Sequence, residues 1–249
     1  MKRGLVMAAA AGAVAVGGLF AWIWFSGDVE PSTELTAPPV TAAAPVSSAT
    51  TAATSVTTTG TASDTTTAAA PAGGTVYTIA AEESLATFTL SEELRGSPTT
   101  VVGTTDQVAA EILIDFEQPS NSVLGTVVIN ARTLATDQTF RNRAIRGPIL
   151  NTNTFEFITF APTSVSGLPD GPSESYSFTV VGDLTIRDVT RSVTFEVAIE
   201  SAGADGVSGF AEALVLRSDF DLQIPTAPGV ANVADEVQLG IVFVARPTS

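Results

Sequence analysis

Residues 175–201 read SYSFTVVGDLTIRDVTRSVTFEVAIES, which is two long alternating runs joined by a short polar break. Apolar and polar side chains alternate up to Ile186 and again over residues 193–199. A period of two over this length is typical of strands with one dry face and one wet face. Arg187 and Asp188 separate the two runs, at a turn where a short polar side chain tolerates a left-handed backbone. The stretch predicts a hairpin whose dry face packs on the rest of the chain, because two strands alone are marginal in water.

Further strands surround this hairpin in the sequence. Apolar runs bounded by Gly and Pro predict strands over residues 76–80, 85–90, 99–102, 107–117, 122–134, 155–161, 206–217 and 237–244. Many strands with short turns predict an antiparallel barrel or sandwich. Residues 136–146, TDQTFRNRAIR, break the alternation. They predict one short helix capped by Thr136 or Asp137 and ended by Gly147 and Pro148.

The composition excludes several classes of function. The chain has no cysteine and no histidine, which excludes disulfides, Cys/His zinc sites and His-dependent triads. We therefore expect neither a metal nor a cofactor. The net charge of −15 disfavours a nucleic-acid partner and non-specific binding to an anionic bilayer. The acidity indicates a solvated surface.

The N-terminal third predicts a membrane anchor followed by a linker. Residues 4–25 are uncharged, long enough to span a bilayer, and follow Lys2 and Arg3. We predict that residues 1–25 form a signal anchor, a single-pass transmembrane helix; a cleaved signal peptide is the alternative. Either places the remainder outside the cytoplasm, in the periplasm or the extracellular space. Residues 26–73 are rich in Thr, Ala, Ser and Pro, which predicts a disordered linker, either a glycosylated stalk or a bare spacer. Residues 74–249 then form one folded domain.

Four motifs of this domain resemble those of the YceI-like domain family. Residues 136–160 resemble the family's R-D-x-H-L…F-x-x-x-x-x-P-x-I-x-F signature, and GDLTI with the following Val189 and Thr190 resembles G-x-L-T-I-x-G-V-T-x-x-V. RSDF at 217–220 resembles R-S-D-F-G, and residues 84–88 resemble S-x-x-x-F. The resemblance implies an all-β, lipocalin-like antiparallel β-barrel of about eight strands with one short inserted helix. It also implies extracytoplasmic binding of polyisoprenoid or another lipid.

The chain departs from the family at defined positions. R-D-x-H-L reads RNRAI at residues 141–145, so the Asp and the His are absent. Asp188 and Asp221 replace two family glycines. Polar contacts made by the family's Asp and His therefore cannot be carried over.

The dry strand faces supply candidate ligand-binding residues. An apolar interior binds a hydrocarbon chain by removing its surface from water, at roughly 25 cal/mol per Å². Isoprenoid is the ligand that the resemblance implies, but the residues fit a fatty acyl chain equally; alternatively, the side chains fill the interior themselves. Among the candidates, we expect Phe178, Phe195 and Phe243 to touch ligand. The candidate lining is Phe88, Ile114, Phe116, Val127, Ile129, Phe178, Val180, Leu184, Phe195, Val197, Leu239 and Phe243.

Arg141, Arg143 and Arg146 form the basic cluster of the domain. They either bind a lipid phosphate at the barrel mouth, since Arg forms bidentate contacts with phosphate, or pair with neighbouring carboxylates. Arg217 and Asp219 are expected to serve a turn or a buried pair.

The sequence as a whole predicts a membrane-tethered lipid-binding protein without enzyme activity. A structural or adhesive β-domain with a filled core, displayed on a stalk, is the alternative. An enzyme acting on lipid would depend on paired carboxylates alone.

Overall fold

This computed structural model describes residues 32–40, 74–173 and 175–248. The strands among these residues lie in one antiparallel sheet. The strands are β1 (Thr75–Ile79), β2 (Leu85–Leu94), β3 (Ser97–Thr105), β4 (Val108–Ala109), β5 (Glu111–Ile114), β6 (Val123–Leu124), β7 (Val127–Asn130), β8 (Phe157–Ser166), β9 (Tyr176–Ile186), β10 (Val189–Gly203), β11 (Gly206–Leu216), β12 (Val230–Ala231) and β13 (Glu236–Pro247). Single-turn 3₁₀ helices span Ala81–Glu83, Pro119–Asn121, Ala131–Thr133 and Arg217–Phe220. The helix α1 (Thr139–Ala144) continues into a π-helical turn, Ile145–Ile149.

The pairing order curls the sheet on itself. It runs β4-β7-β8-β9-β10-β11-β13-β1-β5-β6, and β2 also pairs with β13, β3 and β12. β13 pairs with β2 near its start and with β1 at its end, so β1 and β2 follow one another along the same side of β13. β3 and β5 lie in turn beside β2 and β1. The predicted all-β antiparallel fold with one short inserted helix is thereby confirmed.

The β9–β10 hairpin has the predicted register and alternation. Val189 pairs with Ile186, and the ladder runs unbroken to the pair Ile199 and Tyr176. The side chains predicted on the dry face are buried or half-buried, and they point into the concave side of the curl with the main hydrophobic core. Gly182 lies on this face, between Val180 and Leu184. A Cβ on residue 182 would overlap the ring of Phe160 on β8, so a larger residue does not fit there. The strand glycine therefore marks a close approach of neighbouring strands.

The β9–β10 turn differs from the expectation in one residue. Arg187, and not Asp188, takes the left-handed conformation, with φ of 59°. The Arg187 side chain lies 5.9 Å above the centroid of the Phe155 ring and donates to the carbonyl oxygen of Ile149. These two contacts hold the turn against the segment that follows α1.

The helix also differs from its predicted bounds. It begins at Thr139 instead of directly after Thr136 or Asp137, and no side chain caps its first turn. Asn142 instead fixes the loop that precedes α1, since its Oδ1 accepts hydrogen bonds from both the amide and the hydroxyl of Thr136, each at 2.7 Å. Pro148 does not end the helical segment, because the π-helical turn includes it.

Part of the predicted linker lies against the domain. The amide of Thr33 donates to Glu156 at 2.7 Å, and the amide of Val40 donates to Glu111 at 2.9 Å. Residues 32–40 therefore contact the folded domain at two points. The described residues include no apolar helix of the length that a bilayer requires. The predicted anchor, residues 1–25, and the remainder of the predicted linker lie outside the described residues.

Candidate ligand cavity

The concave side of the sheet encloses two adjoining apolar cavities. The distal cavity, about 150 Å³, lies among β5, β6, β9, β10 and β13 and is bounded by Ile114, Phe116, Phe178 and Phe243. The central cavity, about 120 Å³, is bounded by Phe160, Phe195 and Leu239, among others. The two cavities share five lining residues, Leu124, Val127, Val197, Ala211 and Ile241. A dry apolar cavity of roughly 150 Å³ holds a molecule the size of benzene, so the pair accommodates a stretch of hydrocarbon.

All twelve predicted lining residues border one of these cavities. The distal cavity is lined by Ile114, Phe116, Phe178 and Phe243, and the central cavity by Phe88, Ile129, Val180, Leu184, Phe195 and Leu239, while Val127 and Val197 line both. The alternation of the strands places them there, because every second side chain points to the concave face. That these side chains contact a ligand stays a prediction. Phe195 also packs edge to face on Phe160 at 4.9 Å between ring centroids.

The few polar groups along the cavities are already hydrogen-bonded to nearby backbone. In the distal cavity, Oδ1 of Asp115 accepts from the amides of Glu117 and Gln118, and Ser122 Oγ accepts from the amide of Asp115. In the central cavity, the Thr87 hydroxyl donates to the carbonyl of Gly240. The described interior is therefore suited to hydrocarbon and not to a polar group, since a buried polar group without a partner costs free energy.

A wide cleft opens next to the central cavity. It has a volume of about 1370 Å³ and lies between α1, the C-terminal half of β2 and the loop that precedes β12. Among the described residues, Phe88 alone lines both the cleft and the central cavity. Its position places it between the wide cleft and the apolar cavities of the interior. Phe140, on the first turn of α1, stands at the rim with 61% of its surface exposed.

The three arginines of the predicted cluster occupy different positions relative to this cleft. Arg141 lines the cleft and pairs with Glu92 at 2.6 Å and with Asp137 at 2.5 Å. Arg143 is exposed and is not part of the cleft lining, and Arg146 donates to the backbone carbonyl of Asn142. Hydrogen bonds from the Gln138 side chain and from Arg141 hold the pKa of Asp137 below its usual range. Within this cluster, the cation that faces the cleft is thus paired with carboxylates.

The RSDF segment is a structural turn. Arg217 donates to the carbonyls of Ala234 and Leu222, and Ser218 binds Asp235 through its hydroxyl at 2.6 Å and its amide at 3.1 Å. Asp221 has a left-handed φ of 53°, at the position where the family motif has Gly. Asp tolerates this conformation better than most residues do. The predicted turn role of Arg217 fits these contacts, whereas Asp219 is exposed.

Sequence reasoning missed Glu92 and the loop before β12. The face of β2 that carries Ala86 and Phe88 continues through Leu90, Glu92 and Leu94. An acidic residue on an otherwise dry face is the signal for a buried partner, because charged groups are rarely buried unpaired. The loop, which contributes Ile224, Pro225 and Pro228 to the cleft, has no such pattern.

Comparison with known proteins agrees with this architecture. Two solved structures share the fold: BcnA of Burkholderia cenocepacia (TM-score 0.53, 20% identity, covering 67% of this chain and 98% of that one) and a polyisoprenoid binding domain from Saccharophagus degradans implicated in plant cell wall breakdown (TM-score 0.50, 16% identity, covering 69% and 98%).

Curated relatives include the UPF0312 proteins of Yersinia pestis and Yersinia enterocolitica, each 30% identical to this chain over 119 residues. The match spans 46% of this chain and 59% of the relatives' length. The family model of the YceI-like domain matches residues 77–245, which include every strand from β2 to β12, three of the five residues of β1 and ten of the twelve residues of β13. The chain therefore belongs to the YceI-like domain family.

Proposed function

We propose that this protein binds a lipid with a long apolar chain, isoprenoid or fatty acyl, inside the curled sheet. The observation that carries the proposal is the shared lining of three neighbouring spaces: the distal and central cavities have five lining residues in common, and Phe88 lines both the central cavity and the cleft. Together they mark out a candidate route for the chain. A hydrocarbon chain in this route loses water-exposed area without leaving a polar group unpaired. The fold shared with a polyisoprenoid binding domain supports the same class of ligand.

The proposal includes a closed barrel. β3, β4 and β5 follow one another with breaks of one or two residues, pair with β2 and β1 on one side, and pair with β7 and β6 on the other. Taken with the ladders from β7 to β13, these pairings support the proposal of a lipocalin-like barrel of eight strand segments. Barrels of this size hold either packed side chains or one small ligand.

Binding, and not catalysis, is the proposed role of the cavity. The sequence has neither His nor Cys, so the histidine that activates the nucleophile in Ser-His-Asp and Cys-His hydrolases is missing. Asp115, the one carboxylate among the described residues that line the two cavities, accepts hydrogen bonds from the amides of Glu117 and Gln118.

Purification of the full-length chain followed by mass spectrometry of its organic extract tests the proposal. We expect a stoichiometric lipid with a long apolar chain, and thermal stabilisation of the stripped protein when that lipid is returned. A ligand that binds only the folded state raises stability in this way. No co-purifying lipid and no thermal shift with isoprenoids or fatty acids would leave a structural or adhesive domain with a filled interior.

The proposal extends to location. Residues 1–25 are proposed to anchor the protein in the membrane with residues 74–249 outside the cytoplasm, on the basis of the uncharged segment and its flanking charges. Sequencing the N-terminus of the mature protein and extracting membranes with alkaline carbonate test this. We expect an intact N-terminus in the membrane pellet; a mature chain that lacks residues 1–25 would replace anchoring by secretion.

A further inference from the structure

We infer that the cavity takes a lipid whose polar end is uncharged, and that the buried pair of Glu92 and Arg141 excludes a phosphorylated end. The inference rests on the proposed function, because it concerns the head group of the same ligand. It assigns Glu92 the role of a specificity residue at the mouth of the cavity.

The geometry of the pair gives the first reason. Arg141 Nη2 lies 2.6 Å from Glu92 Oε1, and the two side chains are 14% and 6% exposed. The other terminal nitrogen, Nη1, contacts Asp137, whose side chain is 71% exposed. One guanidinium thus serves two carboxylates: the buried pair with Glu92 is neutral, and the further charge of Asp137 is exposed to water. A phosphate that enters the cleft meets a guanidinium that is already paired and a buried carboxylate that cannot donate a hydrogen bond to it.

The remaining cations near the cleft do not replace Arg141. Arg95 lines the cleft at the β2–β3 turn, but it is exposed, so water screens its attraction for an anion. Arg146 does not line the cleft, and its Nε donates to a backbone carbonyl. No described arginine therefore offers a buried, open guanidinium to a head group in the cleft.

Uncharged partners are present where the head group would lie. Gln138 and Thr226 line the cleft together with Glu92, and their side chains exchange hydrogen bonds with neutral hydroxyl or carbonyl groups. A hydroxyl donates to a carboxylate, whereas a phosphate dianion only repels it. The cleft therefore selects between two lipids of equal chain length by the charge of the polar end.

Equilibrium binding of a C20 isoprenoid alcohol and its monophosphate to the full-length chain, below their critical micelle concentrations, tests this inference. The wild-type protein should bind the alcohol at least about tenfold more tightly than the phosphate, as expected where a like charge lies at a buried position. Glu92→Gln should tighten phosphate binding by about tenfold and leave alcohol binding unchanged, since it removes the repelling charge.

Glu93→Gln is the matched control, because it removes the same charge from the next residue of β2, whose side chain points to the opposite face and binds Asn232. It should leave the ratio of the two affinities as in wild type. A wild-type protein that prefers the phosphate would overturn the inference, and this measurement stands even if Glu92→Gln does not fold. Binding of neither lipid would instead count against the proposed function.

Discussion

Phe88 and Gly103 face one another across the β2–β3 ladder, and the ring of Phe88 fills the space that a side chain at residue 103 would take. A Cβ on Gly103 would overlap that ring. The same ring lies between the cleft and the central cavity. The size of residue 103 therefore determines the position of the aromatic ring at the entrance.

Gly103→Ala should displace the Phe88 ring and narrow this entrance. We expect slower association of lipid, by about tenfold, since a buried methyl group has no free space to occupy here. Stopped-flow measurement with a fluorescent fatty acid gives the rate. Gly203→Ala is the control, because no atom lies within 4 Å of a Cβ at that position. Equal rates for the two variants would contradict the assignment of Phe88 as the entrance.

Phe195→Ala should reduce stability more than Phe178→Ala does. Phe195 is 6% exposed and packs edge to face on Phe160, whereas Phe178 is half-buried beside the distal cavity. Deleting a packed ring costs about 3–5 kcal/mol, and a ring that borders empty space loses fewer contacts. Urea unfolding of both variants without lipid measures how much unfolding free energy each variant loses relative to wild type. Equal losses would mean that the distal ring is packed as tightly as the central one.

Val197→Gln should abolish lipid binding and leave the protein folded. Val197 lines both cavities, so the amide would stand in the hydrocarbon route without a partner. Thermal melts with and without lipid should show a shift for wild type and none for this variant. Glu196→Gln, on the exposed face of the same strand, should retain the shift. An unchanged shift in Val197→Gln would place the ligand elsewhere.

Asp235 should contribute stability that disappears in acid. Hydrogen bonds from the hydroxyl and amide of Ser218 hold its pKa below the usual range. A carboxyl group with a lowered folded-state pKa stabilises the fold above its unfolded pKa of about 3.9, and this stabilisation is lost as the pH falls through the folded-state value. The difference in unfolding midpoint between wild type and Asp235→Asn should be constant above pH ~5 and shrink below pH ~4. A difference that does not depend on pH would contradict this.

Alternation along the strands was enough to predict the hairpin and the cavity lining. Phe178, Phe195 and Phe243 all border the cavities because period two assigns faces without any knowledge of the partner strand. The boundaries of α1 were not predictable in this way. The hydrogen bonds that the amide and hydroxyl of Thr136 donate to Asn142 Oδ1 replace a capping side chain, and these local bonds leave no periodic signal.

The ion pair that lines the cleft could not be predicted from the sequence, for a different reason. Glu92 and Arg141 are 49 residues apart and meet only because α1 folds over the end of β2. Pairing of the arginines with neighbouring carboxylates was one of the two predicted alternatives, but the sequence did not identify Glu92 as the buried partner. The contacts of residues 32–40 also join residues that are far apart in the sequence. The amide of Thr33 donates to Glu156, just before β8, and the amide of Val40 donates to Glu111 in β5.

The contact of residues 32–40 with the domain limits the distance between the domain and a membrane anchor at residues 1–25. Seven residues separate residue 25 from Thr33, which spans at most about 28 Å of extended chain. Thr33 binds Glu156, one residue before β8 begins and at the same end of the sheet as α1 and the β9–β10 turn. A chain anchored through residues 1–25 would thus hold the cleft end within one protein diameter of the bilayer surface. The mouth would then lie close to the lipid reservoir, and a ligand would cross little open water between membrane and cavity.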